Sequence, residues 1–91
     1  MPQNFIDLAI ERGVPLFNDG QPAATVAIYE VAATALLATG AVSDESQRTL
    51  RSALRDASRG GGVRNKAFVL RAALDEVRRN LTGRMELSRN R

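Results

Sequence analysis

The sequence predicts an all-α fold, a compact bundle of four to five helices. No segment alternates apolar and polar residues with the period of a strand, whereas apolar residues recur at the three- and four-residue spacing of a helix. Short runs rich in Gly, Pro and Asn divide the chain into segments of helical length. With 91 residues the chain has the size of one small domain. We expect this domain to span residues 1–83, followed by a basic, disordered tail over residues 84–91.

The first helix is expected to run from about Gln3 to about Arg12. Pro15 then removes a backbone donor, so the following segment either continues as a kinked helix or starts again as a short turn. This alternative is the reason why the helix count is four or five. The segment 18–20 (Asn-Asp-Gly) is predicted to stop the helix. The residues expected to face inward are Phe5, Ile6, Ala9, Ile10 and Gly13.

The second helix should begin at Pro22 and continue to about Thr39, because Pro suits a helix start and Gly40 a helix end. It is apolar on nearly every side, which is typical of a helix at the centre of a bundle or buried by a partner. Its length is also close to that of a membrane span. The abundance of Ala and Thr and the position of Glu30 near its centre favour a soluble bundle with no membrane contact.

The third helix has the clearest start, because Ser43 or Asp44 can cap it, and it should end at Ser58. A narrow apolar stripe marks one side of it, at positions 50, 53, 54 and 57. Four arginines share the opposite side and form what we call the arginine strip. Its members are Arg48, Arg51, Arg55 and Arg59.

The fourth helix is predicted from about Arg64 to Leu81, with Thr82 and Gly83 ending it. Three glycines, residues 60–62, precede it and are suggestive of a phosphate-binding loop. The segment lacks the preceding strand and the Gly-Lys-Ser/Thr ending of such a loop, so we expect a flexible link. The predicted buried face consists of Phe68, Leu70, Leu74, Val77 and Leu81.

The composition argues against an enzyme. The chain has no Cys, His or Trp, which removes the thiol and imidazole nucleophiles and the usual ligands of transition metals. Asp7 and Glu11 form a carboxylate pair, but their spacing is common on helix surfaces and assigns no catalytic role. We therefore expect no catalytic residue, no cofactor and no metal. The first residues lack the basic and apolar regions of a secretory signal, which predicts a cytoplasmic protein.

Charge is divided along the chain. Residues 1–47 carry six acidic residues and one basic residue, a net charge of −5, whereas residues 48–91 carry twelve basic and four acidic residues, a net charge of +8. Opposite charges on one small domain favour docking between complementary surfaces. We expect the arginine strip to pair with Asp7, Glu11 and Asp19, either within one molecule or between two copies. The predicted function is that of a protein–protein interaction or adaptor module, with another copy of the chain as the expected partner.

Nucleic acid is the rival partner. The chain has a sequence pI of about 10.6, and aligned arginines suit phosphate recognition. The chain has only one Tyr and three Phe to stack on bases, and its N-terminal half is acidic. Nucleic-acid binding through the Arg-rich half is therefore the second hypothesis.

Residues 9–37 resemble a tetratricopeptide-like (TPR-like) helical hairpin. Gly13, Gly20, Tyr29 and Ala32 stand at the spacing of the first small residue, the turn glycine, the aromatic residue and the late alanine of that motif. A repeat array needs about three copies, and no second copy follows, so the resemblance covers one hairpin. We expect Tyr29 to fill the space between the first two helices beside Gly13.

Residues 5–81 also resemble, over a wider pattern, the effector-associated or death-like helical adaptor domains of bacterial defence systems. The pattern consists of residues 9–20, the segment Tyr29-Glu30-x-x-Ala33 and residues 68–75. This resemblance implies a signalling adaptor that docks homotypically and has no active site.

Overall fold

Four α-helices and no strand make up the described part of the chain, which confirms the predicted all-α bundle. The computed structural model describes the backbone of residues 2–89 and the side chains of residues 4–82. The helices are α1 (Pro2–Asn18), α2 (Pro22–Thr39), α3 (Asp44–Ser58) and α4 (Val63–Arg89).

Helix α1 continues through Pro15, so residues 2–89 form four main helices and no fifth helix starts after Pro15. Pro15 lies close to the C-terminal end of the helix, where the loss of one backbone donor interrupts little of the hydrogen-bond ladder. Two backbone hydrogen bonds close the C-terminal end of the helix. The Gln21 amide donates to the Leu16 carbonyl at 2.8 Å, and the Gly20 amide donates to the Phe17 carbonyl at 3.2 Å. This is a Schellman motif, and it confirms the predicted stop at residues 18–20.

The predicted bounds of the second and third helices are correct. Helix α2 starts at Pro22 and is followed by Gly40 in the left-handed conformation. Helix α3 is capped by the Ser43 hydroxyl, which accepts a hydrogen bond from the Ser46 amide at 3.2 Å. Both boundaries follow from local chemistry that the sequence displays.

The glycine run before α4 has a conformational explanation. Gly60 and Gly61 have φ angles of +110° and +90°, a region that other residues rarely adopt. These glycines let the chain reverse direction between α3 and α4. Their presence therefore requires no bound phosphate.

Helix α4 runs on to Arg89, so the predicted helix end at Thr82–Gly83 is wrong. The division into a domain over residues 1–83 and a tail over residues 84–91 stays a prediction. A glycine inside a helix costs only about 1 kcal/mol relative to alanine, and Arg84, Met85 and Glu86 are strong helix formers. The helix propensity of the residues after Gly83 outweighs the cost of placing Gly83 inside the helix. Residues 90 and 91 of the expected tail lie outside the described residues.

Helices α2 and α4 form the centre of the bundle. Helix α2 packs against the other three helices, whereas α1 and α3 make no contact with each other among the described residues. The core contains Ile6, Leu50, Leu70, Leu74 and Val77, each at most 1% exposed. At this size such a core is sufficient for one small domain.

Tyr29 packs between α1 and α2, as predicted. Its side chain is 2% exposed, and its ring lies against the backbone of Gly13. The Thr25 hydroxyl, one turn earlier on α2, donates a hydrogen bond to the Gly13 carbonyl at 2.9 Å. The two helices can approach this closely because Gly13 has no side chain.

Helix α2 is long and apolar enough to cross a membrane, by length and composition alone. The core helix of a soluble protein satisfies the same criterion, and one third of α2 is buried inside this bundle. Its solvent-facing side consists mainly of small residues, including Ala23, Ala27, Thr34 and Ala38. Packing against three neighbours accounts for the apolar character of the buried side.

Candidate functional site

The arginine strip lies on the outer side of α3. Arg48, Arg51 and Arg55 project from the helix, Arg59 follows at its C-cap, and all four are exposed. Among the described residues none of the four forms an ion pair, and Arg51 donates only to the Gln47 side chain at 3.4 Å. The guanidinium groups are therefore available to an anionic surface outside the molecule.

The predicted acidic partners do not meet the strip inside one molecule. Glu11 is exposed on α1 and Asp19 is exposed directly after it, and α1 does not contact α3 among the described residues. Asp7 accepts instead from Arg78 Nη1 of α4 at 3.2 Å. A pairing of these two surfaces requires a second molecule.

Arg78 is a structural residue that the sequence analysis missed. It joins α1 to α4, because its Nη1 pairs with Asp7 of α1 at 3.2 Å. Its second nitrogen, Nη2, lies 3.6 Å from Asp75 Oδ1 on its own helix. Arg71 completes the cluster with a bond from its Nε to Asp75 Oδ2 at 3.2 Å. The spacing of residues 71, 75 and 78 at i, i+4 and i+7 was a sequence signal for this cluster.

An apolar groove opens between α1 and α2 on the outer side of the hairpin. Its cavity has a volume of about 380 Å³, within the range of ligand-binding pockets. Phe5, Leu8 and Val31 are 38%, 47% and 67% exposed there, so the prediction that Phe5 faces the core is wrong. Arg12 is the charged residue of the lining, which is Phe5, Leu8, Ala9, Arg12, Ala27, Ile28, Val31 and Ala32.

The groove could have been anticipated from the sequence. Residues 5, 8 and 12 share one side of a helix, displaced from the side of residues 6, 10 and 13 that faces the core. The prediction of one inward face for α1 placed Phe5 together with Ile6 and Ile10, although these residues lie on two different sides of the helix. A helix with apolar residues on two sides indicates a second contact surface.

Phe68 is the other large apolar residue that the structure places differently. It was predicted in the buried face of helix four, and its side chain is 63% exposed. Ala67, Leu70, Leu74 and Val77 occupy the buried side, and a step of one residue from Ala67 turns Phe68 away from the core.

Phe68 is held at the surface by an aromatic contact. Its ring centroid lies 5.5 Å from that of Phe17 on α1, in a tilted arrangement. The Arg64 guanidinium lies 5.3 Å from the centroid of the Phe17 ring. Val63, five residues earlier at the start of α4, is 37% exposed.

No family model matches the chain, and no curated protein and no solved structure proves similar to it. The resemblances to a TPR-like hairpin and to bacterial adaptor domains therefore stay predictions.

Proposed function

We propose that this protein is an interaction module in which copies of the chain dock through oppositely charged helix surfaces. The observation that carries the proposal is the arginine strip, whose four guanidinium groups are exposed and form no ion pair among the described residues. Four exposed arginines on a chain whose first 47 residues carry a net charge of −5 are complementary to the acidic residues of a second copy.

The arrangement of helices favours a head-to-tail contact. Helices α1 and α3 make no contact among the described residues and both pack on α2 and α4, so Glu11 and Asp19 lie at a different place on the molecule from the arginine strip. When two copies dock through two different surfaces, one acidic surface and one basic surface of the pair remain free. Assembly of this kind continues into a ring or a filament.

Within the acidic surface, Glu11 and Asp19 are the residues best placed to receive the strip. Asp7, which was predicted to join them, already pairs with Arg78 at 3.2 Å. Complementary charges of this sort set orientation and association rate more than affinity, because exposed ion pairs contribute little individually. The apolar groove between α1 and α2 offers the area that affinity needs.

The test is the molecular mass of the purified chain by sedimentation velocity, at low and at high salt. We expect self-association that weakens as salt rises, since exposed charges are screened beyond about 8 Å at physiological ionic strength. Arg55→Glu should abolish it. Arg79→Glu, the same charge change at an exposed site of α4 outside the strip, is the control and should leave it intact.

A charge exchange then identifies the acidic partner. The double variant Arg55→Glu with Glu11→Arg exchanges one charge on each of the two surfaces and should restore association. Failure of restoration, with circular dichroism showing both variants folded, would contradict the pairing of the strip with Glu11.

A second candidate function is nucleic-acid binding, and the same strip supports it. Exposed guanidinium groups in a row recognise phosphate as well as carboxylate. We rank it second because residues 1–47 carry a net charge of −5 on the same small domain.

A cytoplasmic adaptor that needs no cofactor is part of this proposal. In a bacterial defence or signalling protein, a docking module would bring attached domains together by oligomerisation. The chemistry would then belong to the attached domains.

A further inference from the structure

A second cavity, of about 230 Å³, opens between α1, α2 and α4. It shares no lining residue with the groove between α1 and α2, and no residue of the arginine strip lines it. Three aromatic side chains line it, one from each helix: Phe17, Tyr29 and Phe68. Tyr29 is 2% exposed and Phe68 is 63% exposed, so the cavity reaches from the interior of the bundle to the solvent.

The aromatic side chains of this cavity provide contacts suited to a ring. The centroids of the Phe17 and Phe68 rings lie 5.5 Å apart in a tilted arrangement, so each ring supports the other. An apolar cavity of about 150 Å³ in another protein accepts benzene. A volume of about 230 Å³ therefore has room for a single aromatic ring with one small substituent.

The Tyr29 hydroxyl is a polar group of this lining that has no partner among the described residues. It makes no hydrogen bond there, whereas the Thr25 hydroxyl, one turn earlier, donates to the Gly13 carbonyl. The Tyr29 oxygen is not completely enclosed, so it can bond to a molecule in the cavity. Because polar groups of buried residues are nearly always hydrogen-bonded, this hydroxyl indicates a place for a polar ligand atom.

The charged residue of the lining is Arg71. Asp75 pairs only with its Nε, at 3.2 Å, and its two terminal nitrogens form no hydrogen bond or ion pair among the described residues. Arg64 lies on the same side of α4, since residues 64, 68 and 71 are spaced at i, i+4 and i+7, and its guanidinium is 5.3 Å from the Phe17 ring centroid. No acidic residue belongs to the described lining. The lining therefore favours a negatively charged ligand.

We propose that this cavity binds a small aromatic carboxylate, a molecule with one ring and one carboxylate group. The ring packs against Phe17 and Phe68, the terminal nitrogens of Arg71 donate to the carboxylate, and the Tyr29 hydroxyl supplies a further hydrogen bond. A guanidinium fork matches a carboxylate, whereas arginines beside the same three rings would repel a cation. This site goes beyond the proposed self-docking and does not depend on it.

The probes are benzoate and three relatives, each of which changes one feature. Benzamide keeps the ring without the charge, acetate keeps the charge without the ring, and benzylamine reverses the charge. Each is titrated into the full chain, and NMR of the backbone amides measures the affinity. We expect benzoate to bind with a Kd of about 0.1 to 1 mM and benzamide to bind about tenfold more weakly, because the bond to Arg71 loses its charge. Acetate and benzylamine should not bind.

The same spectra locate the site. Benzoate should shift the amides of residues 14–18 and 67–71, which include lining residues of α1 and α4, and leave those of residues 5–9 and 31–32 in the groove between α1 and α2 unchanged.

Two variants test the polar contacts. Arg71→Gln should make benzoate bind no more tightly than benzamide, whereas Arg55→Gln, the matched change on the arginine strip, should preserve the difference. Tyr29→Phe removes only the hydroxyl and should weaken benzoate binding about two- to tenfold. Circular dichroism checks the fold of each variant. Tyr29→Phe keeps the ring beside Gly13, so it tests the site independently of the pair between Arg71 and Asp75.

Four results would overturn the proposal. The absence of amide shifts at about 10 mM benzoate, ten times the weakest expected Kd, shows that the cavity does not bind it. Shifts centred on residues 5–9 and 31–32 show that the groove beside Arg12 takes the acid instead. Equal affinities for benzoate and benzamide show that Arg71 does not select the charge. Equal losses in Arg71→Gln and Arg55→Gln show a general attraction of anions to a basic chain. None of these results bears on self-docking, which sedimentation velocity measures separately.

Discussion

The ring of Tyr29 occupies the space that a side chain at position 13 would need. A Cβ atom added to Gly13 would lie 2.6 Å from Tyr29 Cε1 and 2.9 Å from Cζ, closer than real Cβ contacts allow. The ring is only 2% exposed, so it contacts the protein on most sides, and a cavity of about 230 Å³ borders it. Gly13 and Tyr29 are therefore one packing unit that sets the distance between α1 and α2.

Gly13→Ala should destabilise the protein, although alanine is the better helix former. The gain in helix propensity is about 1 kcal/mol, and the overpacking against the Tyr29 ring should cost about 1 to 3 kcal/mol. We expect a lower urea midpoint with an unchanged slope. A midpoint at or above that of the parent would show that the two helices separate at little cost.

Tyr29→Ala should cost about 3 kcal/mol or more, because it removes a large buried ring. In that background Gly13→Ala should become stabilising, since the clash is gone and the helix propensity remains. The urea midpoints of the four chains of this double-mutant cycle test the coupling. Additive effects would contradict it.

The parts of the fold that the sequence predicted well are those decided by local chemistry. Pro22 and Gly40 bound α2, and the Ser43 hydroxyl caps α3, as expected from residues within one turn of each boundary. Tyr29 beside Gly13 was predicted from the resemblance to a helical hairpin. Phe5 and Phe68 were placed wrongly because their exposure depends on which neighbours cover a helix side, and one-dimensional spacing does not contain this information.

Arg78→Met should destabilise the bundle more than Asp7→Asn does. Asp75 Oδ1 is buried and accepts no hydrogen bond, and Arg78 Nη2 lies 3.6 Å from it. Removal of the guanidinium takes away the cation nearest to this buried oxygen and leaves Arg71 on Oδ2 as the remaining partner of the carboxylate, at a cost of about 1 to 3 kcal/mol. Asp7→Asn breaks only the half-exposed pair with Arg78 and should cost less than about 1 kcal/mol.

Urea denaturation of both variants measures this difference, and Glu11→Gln on the same helix is the control for a loss of charge on α1. Equal costs for Arg78→Met and Asp7→Asn would show that the α1–α4 ion pair, and not the support of Asp75, is the role of Arg78.

The surroundings of the candidate site were only partly predictable from the sequence. Arg78 lies 71 residues from Asp7 in the sequence, and only packing brings them together.

The backbone of residues 84–89 should give helical ¹³Cα chemical shifts, because α4 continues through Gly83 to Arg89. Gly83→Ala should strengthen these shifts, since alanine favours the helix by about 1 kcal/mol over glycine. The measurement is a backbone assignment by NMR of the full chain. Random-coil shifts from residue 84 onward, unchanged by Gly83→Ala, would confirm the disordered tail that the sequence predicts.

The last prediction separates the two partner classes of the arginine strip. If the strip binds phosphate, the logarithm of the affinity for duplex DNA should fall linearly with the logarithm of the salt concentration, with a slope of about 0.9 for each phosphate contact. Four strip arginines would then give a slope of about 4, and Arg55→Glu would reduce it by about one contact or more. Fluorescence anisotropy with a labelled duplex measures both.

Because the N-terminal half has a net charge of −5, we expect only weak binding that is independent of sequence and is lost at physiological salt. Micromolar or tighter binding at that salt, abolished by Arg55→Glu and retained by Arg79→Glu, would make nucleic acid the partner of the strip and would refute the proposed self-docking.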